Sequence, residues 1–507
     1  MKPEADRALG REVDSPRGLP RTGRVDRVTG GLETIAARGR AGCRLTASAL
    51  PVLIVLGVLI APPAILGAAP AERAEAAPRS IEERIAELEA LVQKLRAEVE
   101  ALRPSGAGAG GPATVEELQK RIDALAQEIE RLRIGEAAVP AAQEPVSGFG
   151  PAAAKVYTVK KGVSVGGYGE MLYQNFDGLR DDGSPSAEQN TLDFLRAVLY
   201  FGYKWSDHLL FNSEIEHEHA VAGDGEPGEV AVEFAYVDYR RSRGFGVRGG
   251  LLLVPIGFLS ELHEPPIFYG ATRPEVESVI LPSTWRENGM GVYGDLGPVS
   301  YRAYIVAGLD ASGFTAGDGI RGGRQEGAQS KADDLALAAR LDWTPSPGLL
   351  VGASSFAGGA AQGDPALGNA RVTLWDAHAE WNARGLHLRG VYAKSSLHDA
   401  GAVSLATGEN VGSRARGWYA EAAFNVLSIA GRGERELSPF VRYEALDTQA
   451  DVAPGLTRDP ANDRSVRTYG LTFRPLVNLA IKADFQDFGN RAGTGVDRFN
   501  LALGYLF

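Results

Sequence analysis

The final eleven residues, Asp497–Phe507, alternate without a break. Phe499, Leu501, Leu503, Tyr505 and Phe507 fall on one side of an extended chain, and Arg498, Asn500, Ala502 and Gly504 fall on the other. Successive side chains of a strand point to opposite faces, so one face here is aromatic and aliphatic and the other polar or small. The pattern recurs upstream. Leu479, Ile481, Ala483 and Phe485 oppose Asn478, Lys482, Asp484 and Gln486; Trp375, Ala377, Ala379 and Trp381 oppose Asp376, His378 and Glu380. Leu209, Phe211 and Ile215 oppose Asn212, Glu214, Glu216 and Glu218.

From Gly162 the chain divides into about sixteen such segments. They run roughly over 162–175, 191–205, 208–219, 230–241, 246–254, 289–296, 299–309, 333–344, 349–357, 372–383, 386–396, 416–429, 438–448, 466–474, 477–488 and 497–507. Short turns, such as Ser206-Asp207, Gly297-Pro298 and Arg384-Gly385, alternate with long polar, Gly-rich connections such as 177–190, 310–331 and 398–415. Short turns on one rim and long loops on the other, with an even strand count, predict an all-β transmembrane barrel of about 16 antiparallel strands. Its apolar face meets lipid and its polar face lines the lumen. A soluble sandwich suits single strands of this kind but not the strict alternation of connections.

Before residue 135 the period changes from 2 to about 3.5. Ile81, Ile85, Leu88, Val92, Leu95, Val99 and Leu102 step by four and three, as do Val115, Leu118, Ile122, Leu125, Ile129 and Leu132. That spacing is a coiled-coil seam. Each run opens on a capping box, Ser80…Glu83 and Thr114…Glu117, and Pro104–Ala113 joins them. The helices either fold back on each other or zip with other chains, and assembly between chains is the expectation. Residues 78–134 are thus read as a short α-helical coiled-coil segment, 135–161 as a linker, and 162–507 as the barrel.

Composition narrows the class further. Hydrophobic residues make up 44% of the 507, yet no apolar run reaches the roughly 20 residues of a spanning helix. The longest, Leu50–Ile60, follows Arg38, Arg40 and Arg44 and precedes small residues, so 1–77 reads as an N-terminal extension and secretory signal peptide. Cys43, the one cysteine, lies ahead of that run, which leaves the exported chain without thiol or disulfide. The formal net charge of −11 disfavours nucleic acid as a partner.

The third long connection, from Phe258 through Asn288, is the longest, and it follows the strand end Val254-Pro255-Ile256-Gly257. Together with the signal peptide, the heptad prefix and the terminal Phe507, it resembles bacterial outer-membrane porins of the phosphate-selective porin O/P type. In such proteins a final Phe is read by the assembly machinery. The resemblance implies a passive diffusion channel for small hydrophilic solutes or ions, a homotrimer in outer-membrane lipid, and a coiled coil in the periplasm. It also implies a third loop folded into the lumen, which makes Glu261, His263, Glu264, Arg273, Glu275, Glu277, Arg286 and Glu287 the constriction candidates. Alternation places Glu214, Glu216, Arg340, Glu380, Arg442 and Lys482 on the lumen wall. The family's anion trap depends on clustered Arg and Lys, whereas this loop holds five Glu against two Arg. Rings of one sign select the opposite ion, so the expectation is a weak cation preference. Many of these charges are expected to pair across neighbouring strands.

Other chemistry finds little support. His217 and His219 sit on the apolar-facing parity, His263-Glu264 lacks the second His of a zinc-protease helix, and Ser213 has no nucleophile motif around it. No enzyme activity, cofactor or metal is expected. The alternative from another class is a structural outer-membrane anchor whose coiled coil binds cell wall or a periplasmic partner.

Overall fold

The computed structural model describes residues 81–102, 118–126, 148–430 and 435–507. The signal-peptide reading, Cys43, the capping residues Ser80 and Thr114, the Pro104–Ala113 joint and the first part of the linker lie outside the described residues.

Sixteen strands form one closed antiparallel barrel in which each strand pairs with its sequence neighbours and β1 pairs with β16. They are β1 (Gly162–Phe176), β2 (Thr191–Lys204), β3 (Leu209–Glu218), β4 (Val230–Ser242), β5 (Phe245–Leu253), β6 (Arg286–Leu296), β7 (Val299–Ala307) and β8 (Leu335–Ser346). The second half comprises β9 (Leu349–Gly359), β10 (Arg371–Ala383), β11 (Leu386–His398), β12 (Gly412–Phe424), β13 (Glu436–Val452), β14 (Asp463–Leu476), β15 (Leu479–Asn490) and β16 (Arg498–Leu506). Long connections share one rim. The short turns, the start of β1 and the end of β16 share the other.

Strand boundaries differ from the sequence reading by up to five residues, as where β13 runs on to Val452 and β14 begins at Asp463, and two of the differences have a visible cause. β6 begins at Arg286 because Leu252 and Leu253 take Glu287 and Arg286 as ladder partners. Arg286 and Glu287 are therefore strand residues at the lip of the third loop, not part of it. β12 ends at Phe424, short of the expected 429, because the Asn425 side chain accepts from the amides of Leu427 and Leu437 and turns the chain there.

The outer face is what lipid requires. Leu199, Phe201, Ile215, Val237, Ile305, Leu337, Leu341 and Val351 are all exposed. In water so continuous an apolar surface would drive aggregation. Trp375 and Trp381 are outward and six residues apart on β10, about 20 Å along an extended strand, which places them at the two edges of the apolar band.

The ring closes where the sequence is most regular. Nine residue pairs, from Tyr168↔Leu506 to Phe176↔Arg498, join β1 to β16. Phe507 extends the seam: its amide donates to the Gly167 carbonyl at 3.0 Å and its carbonyl accepts from the Gly167 amide at 3.1 Å. Gly167 and Gly169 leave room for the rings of Phe507 and Tyr505; a Cβ on either would lie within 2.6 Å of ring atoms. Cross-strand aromatic cover of a glycine holds register where glycine alone would not.

Upstream, α1 (Ile81–Leu102) and a helical stretch at 118–126 share one apolar cluster. It contains Val92, Val99 and Ile122, with Leu88, Leu95, Leu118 and Leu125 against them. These are seam positions of the heptad pattern, meeting within one chain.

Deleting Phe507 removes two backbone hydrogen bonds, each worth about 1 kcal/mol net, and the ring over Gly167. The fraction of heat-modifiable, folded barrel on a gel should fall severalfold; native levels would show that the seam does not need it. Replacing Leu88 and Leu95 with Glu should lower helical circular dichroism while leaving the barrel's heat-modifiable mobility unchanged, since the barrel closes its own hydrogen bonds.

Candidate functional site in the barrel lumen

The third loop leaves the wall at a residue that cannot extend it. Pro255 has no amide to donate to a ladder, and the amide of Val254 bonds the Trp285 carbonyl at 2.8 Å, closing the neck of the loop. Gly257 turns the chain inward with φ +60, beside the Glu277 carboxylate. From there the loop makes a circuit of the inner wall. The Gly257 amide donates to Asp376 of β10 at 3.1 Å, and its carbonyl accepts from Arg340 of β8. His263 meets Glu214 of β3 at 3.1 Å. The Ala271 amide donates to Asp484 of β15, and Lys482 donates to the Gly270 carbonyl at 2.9 Å. The Val276 amide reaches Glu444 of β13, and Tyr419 of β12 donates to Glu277 at 3.0 Å. From the fourth long loop, Arg321 donates to the carbonyls of Ser278 and Ser283.

Inside this circuit the packing is that of a core. Phe258, Leu259, Val276, Ile280, Leu281 and Trp285 of the loop are buried together with wall residues such as Phe234, Phe356 and Leu374. Wall charges are buried in pairs. Arg442 lies 2.8 Å from Glu444 and 3.3 Å from Glu421; Arg389 lies 2.7 Å from Glu380; Arg196 bridges Glu216 at 3.0 Å and Glu170 at 3.3 Å. His378 stands between Asp376 at 2.6 Å and Asp342 at 2.9 Å. Burying a charge in this way is tolerated only where a partner is present.

A second chain segment enters the lumen. Residues 148–159, at the end of the span read as a linker, run along the inner wall and include a helical turn, α2 (Lys155–Thr158). The amides of Ala152 and Ala153 donate to Oε1 of Glu264 at 3.1 and 3.0 Å. Asn212 donates to the Ala153 carbonyl at 2.9 Å, and Lys204 to the Val159 carbonyl at 2.7 Å. The Tyr157 hydroxyl donates to Asp238 at 2.7 Å, an acceptor it shares with Tyr293. Phe149 packs against Phe234 and Tyr236, with ring centroids 5.2 and 5.5 Å away, and the Arg248 guanidinium lies 5.0 Å over its face. The strap thus lies against the third loop on one side and the wall of β2 to β5 on the other.

The constriction candidates fall into distinct roles. Glu261 pairs with Arg302 of β7 at 3.2 Å, and Glu275 with Arg498 of β16 at 3.4 Å. Glu264 and Glu277 accept backbone amides, of the strap and of Phe258 and Leu259 respectively. Arg273 donates to Thr284 at 3.0 Å. Arg286 engages Glu233 and Glu326, and Glu287 accepts from Trp285 and Gln325. Among the wall candidates, Lys482 also lies 3.6 Å over the ring of Phe268. Sequence reasoning missed the strap. The signal it offered was a cluster of larger apolar residues, Phe149, Val156, Tyr157 and Val159, at the end of an Ala-, Gly- and Pro-rich span.

Burial pushes the Glu264 carboxyl up to about 7 against the usual 4.5, and holds His263 down at about 4. Both strap amides meet Oε1 at close range, which leaves Oε2 to carry the proton. Between roughly pH 4.5 and 7 the docked state keeps a proton that the undocked state releases, so the contribution of Glu264 is full at acid pH and is lost as pH rises through 7. A released His263 would take up a proton below about 6.5 and so oppose docking at acid pH. Its bonds, however, run to the Ser260 carbonyl and to Glu214 and not to the strap, so Glu264 is the group tied to strap docking. Amide exchange at Ala152 and Ala153, corrected for its intrinsic pH dependence, should show greater protection at pH 5 than at pH 8. Glu264→Gln should remove the difference; equal protection at both pH values in the native protein would refute it.

No known family profile matches the chain. Three bacterial outer-membrane channels of solved structure resemble it. OmpF of Salmonella typhi in complex with daunomycin is 12% identical, covers 68% of this chain and 98% of its own, and gives a TM-score of 0.47. The outer-membrane channel DcaP of Acinetobacter baumannii is 12% identical over 69% and 98%, with a TM-score of 0.45. An anion-selective porin from Comamonas acidovorans is 14% identical over 69% and 100%, with a TM-score of 0.43. In sequence the chain is 41% identical over 392 residues to an uncharacterized protein of Aquifex aeolicus (strain VF5), spanning 74% of this chain and 87% of that protein. By that similarity the chain belongs to the same family as the Aquifex aeolicus protein.

Proposed function

We propose that the protein is an outer-membrane channel for small hydrophilic solutes or ions, held closed in the present arrangement by the third loop and the 148–159 strap. The observation that carries this reading is the width of the ring. About eight strands make a barrel whose own side chains fill it, which is enough for an anchor, whereas sixteen enclose a space that side chains alone cannot fill. Here two chain segments occupy that space, and at both ends of it lie partly exposed ion pairs, Arg498–Glu275 towards the long-loop rim and Arg474–Glu436 towards the short-turn rim. The strap is the more readily displaced segment, because it is a terminal extension of the barrel and not a loop tethered at both ends.

The chain enters the outer membrane after loss of a signal peptide, with the short-turn rim and the coiled coil on the periplasmic side, and assembles as a homotrimer. It acts as a channel and not as an enzyme. Assignment to the phosphate-selective type needs free cations at the constriction, and both loop-region arginines named for that role, Arg273 and Arg286, are engaged. The loop carboxylates are engaged as well; the one that displacing the strap would free is Glu264, and a carboxylate left facing the passage favours cations.

Planar-bilayer recording of the full chain tests both statements. Native protein should give infrequent openings. Glu264→Ala with Tyr157→Ala should raise the open probability at least tenfold, because several buried strap bonds are lost at once. Across a salt gradient the reversal potential of the open channel should show weak cation preference, fading as salt shortens the screening length to about 10 Å at 0.1 M. Absence of conductance in native and variant protein alike would favour the anchor. Strong anion preference would restore the phosphate-type reading.

A further inference from the structure

The outer face of β10, β11 and β12 carries a group of cations where the apolar band ends on the long-loop side. Arg371, Lys394, Arg414 and Arg416 share the outward parity of Trp375, Tyr392 and Trp418. Lys394 is the direct cross-strand partner of Arg416, and Arg414 lies two residues further toward the rim, opposite Ser396. Like charges directly opposite on adjacent strands repel, so the pair costs stability unless an anion lies between them.

The chain supplies little to neutralise them. Arg414 reaches Asp451 at 3.4 Å. Among the described residues Arg371, Lys394 and Arg416 have no carboxylate within ion-pair distance, and Asp447, opposite Arg416, is already engaged by Arg458. Elsewhere on the outer face the barrel does provide a counter-charge: outward Arg467 lies 2.9 Å from Asp487.

Two apolar features adjoin these cations, an aromatic girdle that starts level with Lys394, whose cross-strand partner is Trp375, and a groove beyond it. Trp375 and Tyr392 pack with ring centroids 5.4 Å apart, and Trp418 and Tyr443 at 5.3 Å. Beneath this girdle is an outer-surface groove of about 550 Å³, with Ala379, Gly390 and Ala420 as its floor and Trp381, Leu388 and Val441 along one side. The three floor residues form one lateral row across adjacent strands.

A head with closely spaced negative charge above an aromatic belt, and a hydrocarbon chain below it, match this order of features. We propose that the patch binds a phosphorylated saccharolipid, lipid A in its chemistry. A phosphate is held between Lys394, Arg416 and Arg414, Arg371 faces the headgroup, and an acyl chain crosses the girdle into the Ala379–Gly390–Ala420 groove. Phosphate accepts charge-assisted hydrogen bonds from several cations at once, which turns the Lys394–Arg416 repulsion into shared attraction. The proposal rests on the reading that the long-loop rim faces the outer leaflet.

The test is native mass spectrometry of the detergent-solubilised full chain titrated with bis-phosphorylated lipid A, with dephosphorylated lipid A and phosphatidylglycerol as comparison probes. One tight lipid A adduct per chain is expected, weakened about tenfold or more in K394Q/R416Q and retained in K394R/R416K. Heat-modifiable mobility shows that each variant has folded. Unchanged lipid A binding in K394Q/R416Q, or equal binding of the dephosphorylated lipid, would overturn the proposal. Equal binding of phosphatidylglycerol would overturn the saccharolipid assignment. Loss of oligomer in K394Q/R416Q without loss of lipid A would make the patch a contact between copies instead. Because the readout involves no ion flux, a barrel that fails to conduct can still pass this test, and a conducting one can fail it.

Discussion

Every backbone amide and carbonyl that crosses a membrane must find its partner inside the protein, because hydrocarbon offers none. That requirement fixes most of the architecture of this chain. A sheet meets it only by closing, and closure here depends on β16 pairing with β1 out to the last residue, Phe507, against Gly167. Once the ring is closed, the outward parity of each strand is committed to lipid and the inward parity to whatever occupies the lumen. The exposed Leu, Val and Trp residues of the outer belt and the buried Arg–Glu pairs of the inner wall are two consequences of one closure.

Sixteen strands bring a second constraint. A ring of that size encloses more space than wall side chains fill. The space is taken by chain: the third loop, pinned to strands on all sides by contacts such as Gly257 to Asp376 and Ala271 to Asp484, and the strap at 148–159. These segments bring apolar residues inward, so the lumen acquires a core, and wall charges near it are held either by ion pairs, as Arg442 with Glu444, or by inserted main chain, as Lys482 with the Gly270 carbonyl. The Glu264 carboxyl joins the two inserted pieces, accepting both strap amides while sitting in the third loop. It is the side chain through which loop and strap are bonded to each other, while Asn212, Lys204 and Asp238 tie the strap to the wall.

Some disagreements between pattern and structure are local. Alternation cannot say where a strand starts when its first residues face a loop. Arg286 and Glu287 look like loop charges until Leu252 and Leu253 pair with them. Alternation likewise extends β12 past Phe424, because Val426, Leu427 and Ile429 continue an apolar rhythm that Asn425 interrupts by capping. The largest omission, the strap, has a different cause. Its residues have no period at all, and Phe149 and Tyr157 are buried only because Phe234, Tyr236 and Asp238, some eighty residues later, present a surface for them.

By itself the sequence determined the number of strands, their faces, the two kinds of connection and the loop that breaks the pattern, because each is written in local periodicity and local turn chemistry. It also determined the heptad positions that meet in the Val92–Val99–Ile122 cluster. Only the tertiary structure decided which charges neutralise which, that Glu264 binds main chain instead of facing water, and that the lumen holds a strap as well as a loop. It also decided that Lys394 and Arg416 stand side by side on the outer wall. Each of these depends on register between strands and on contacts between residues far apart in the chain, and a sequence read one window at a time carries neither.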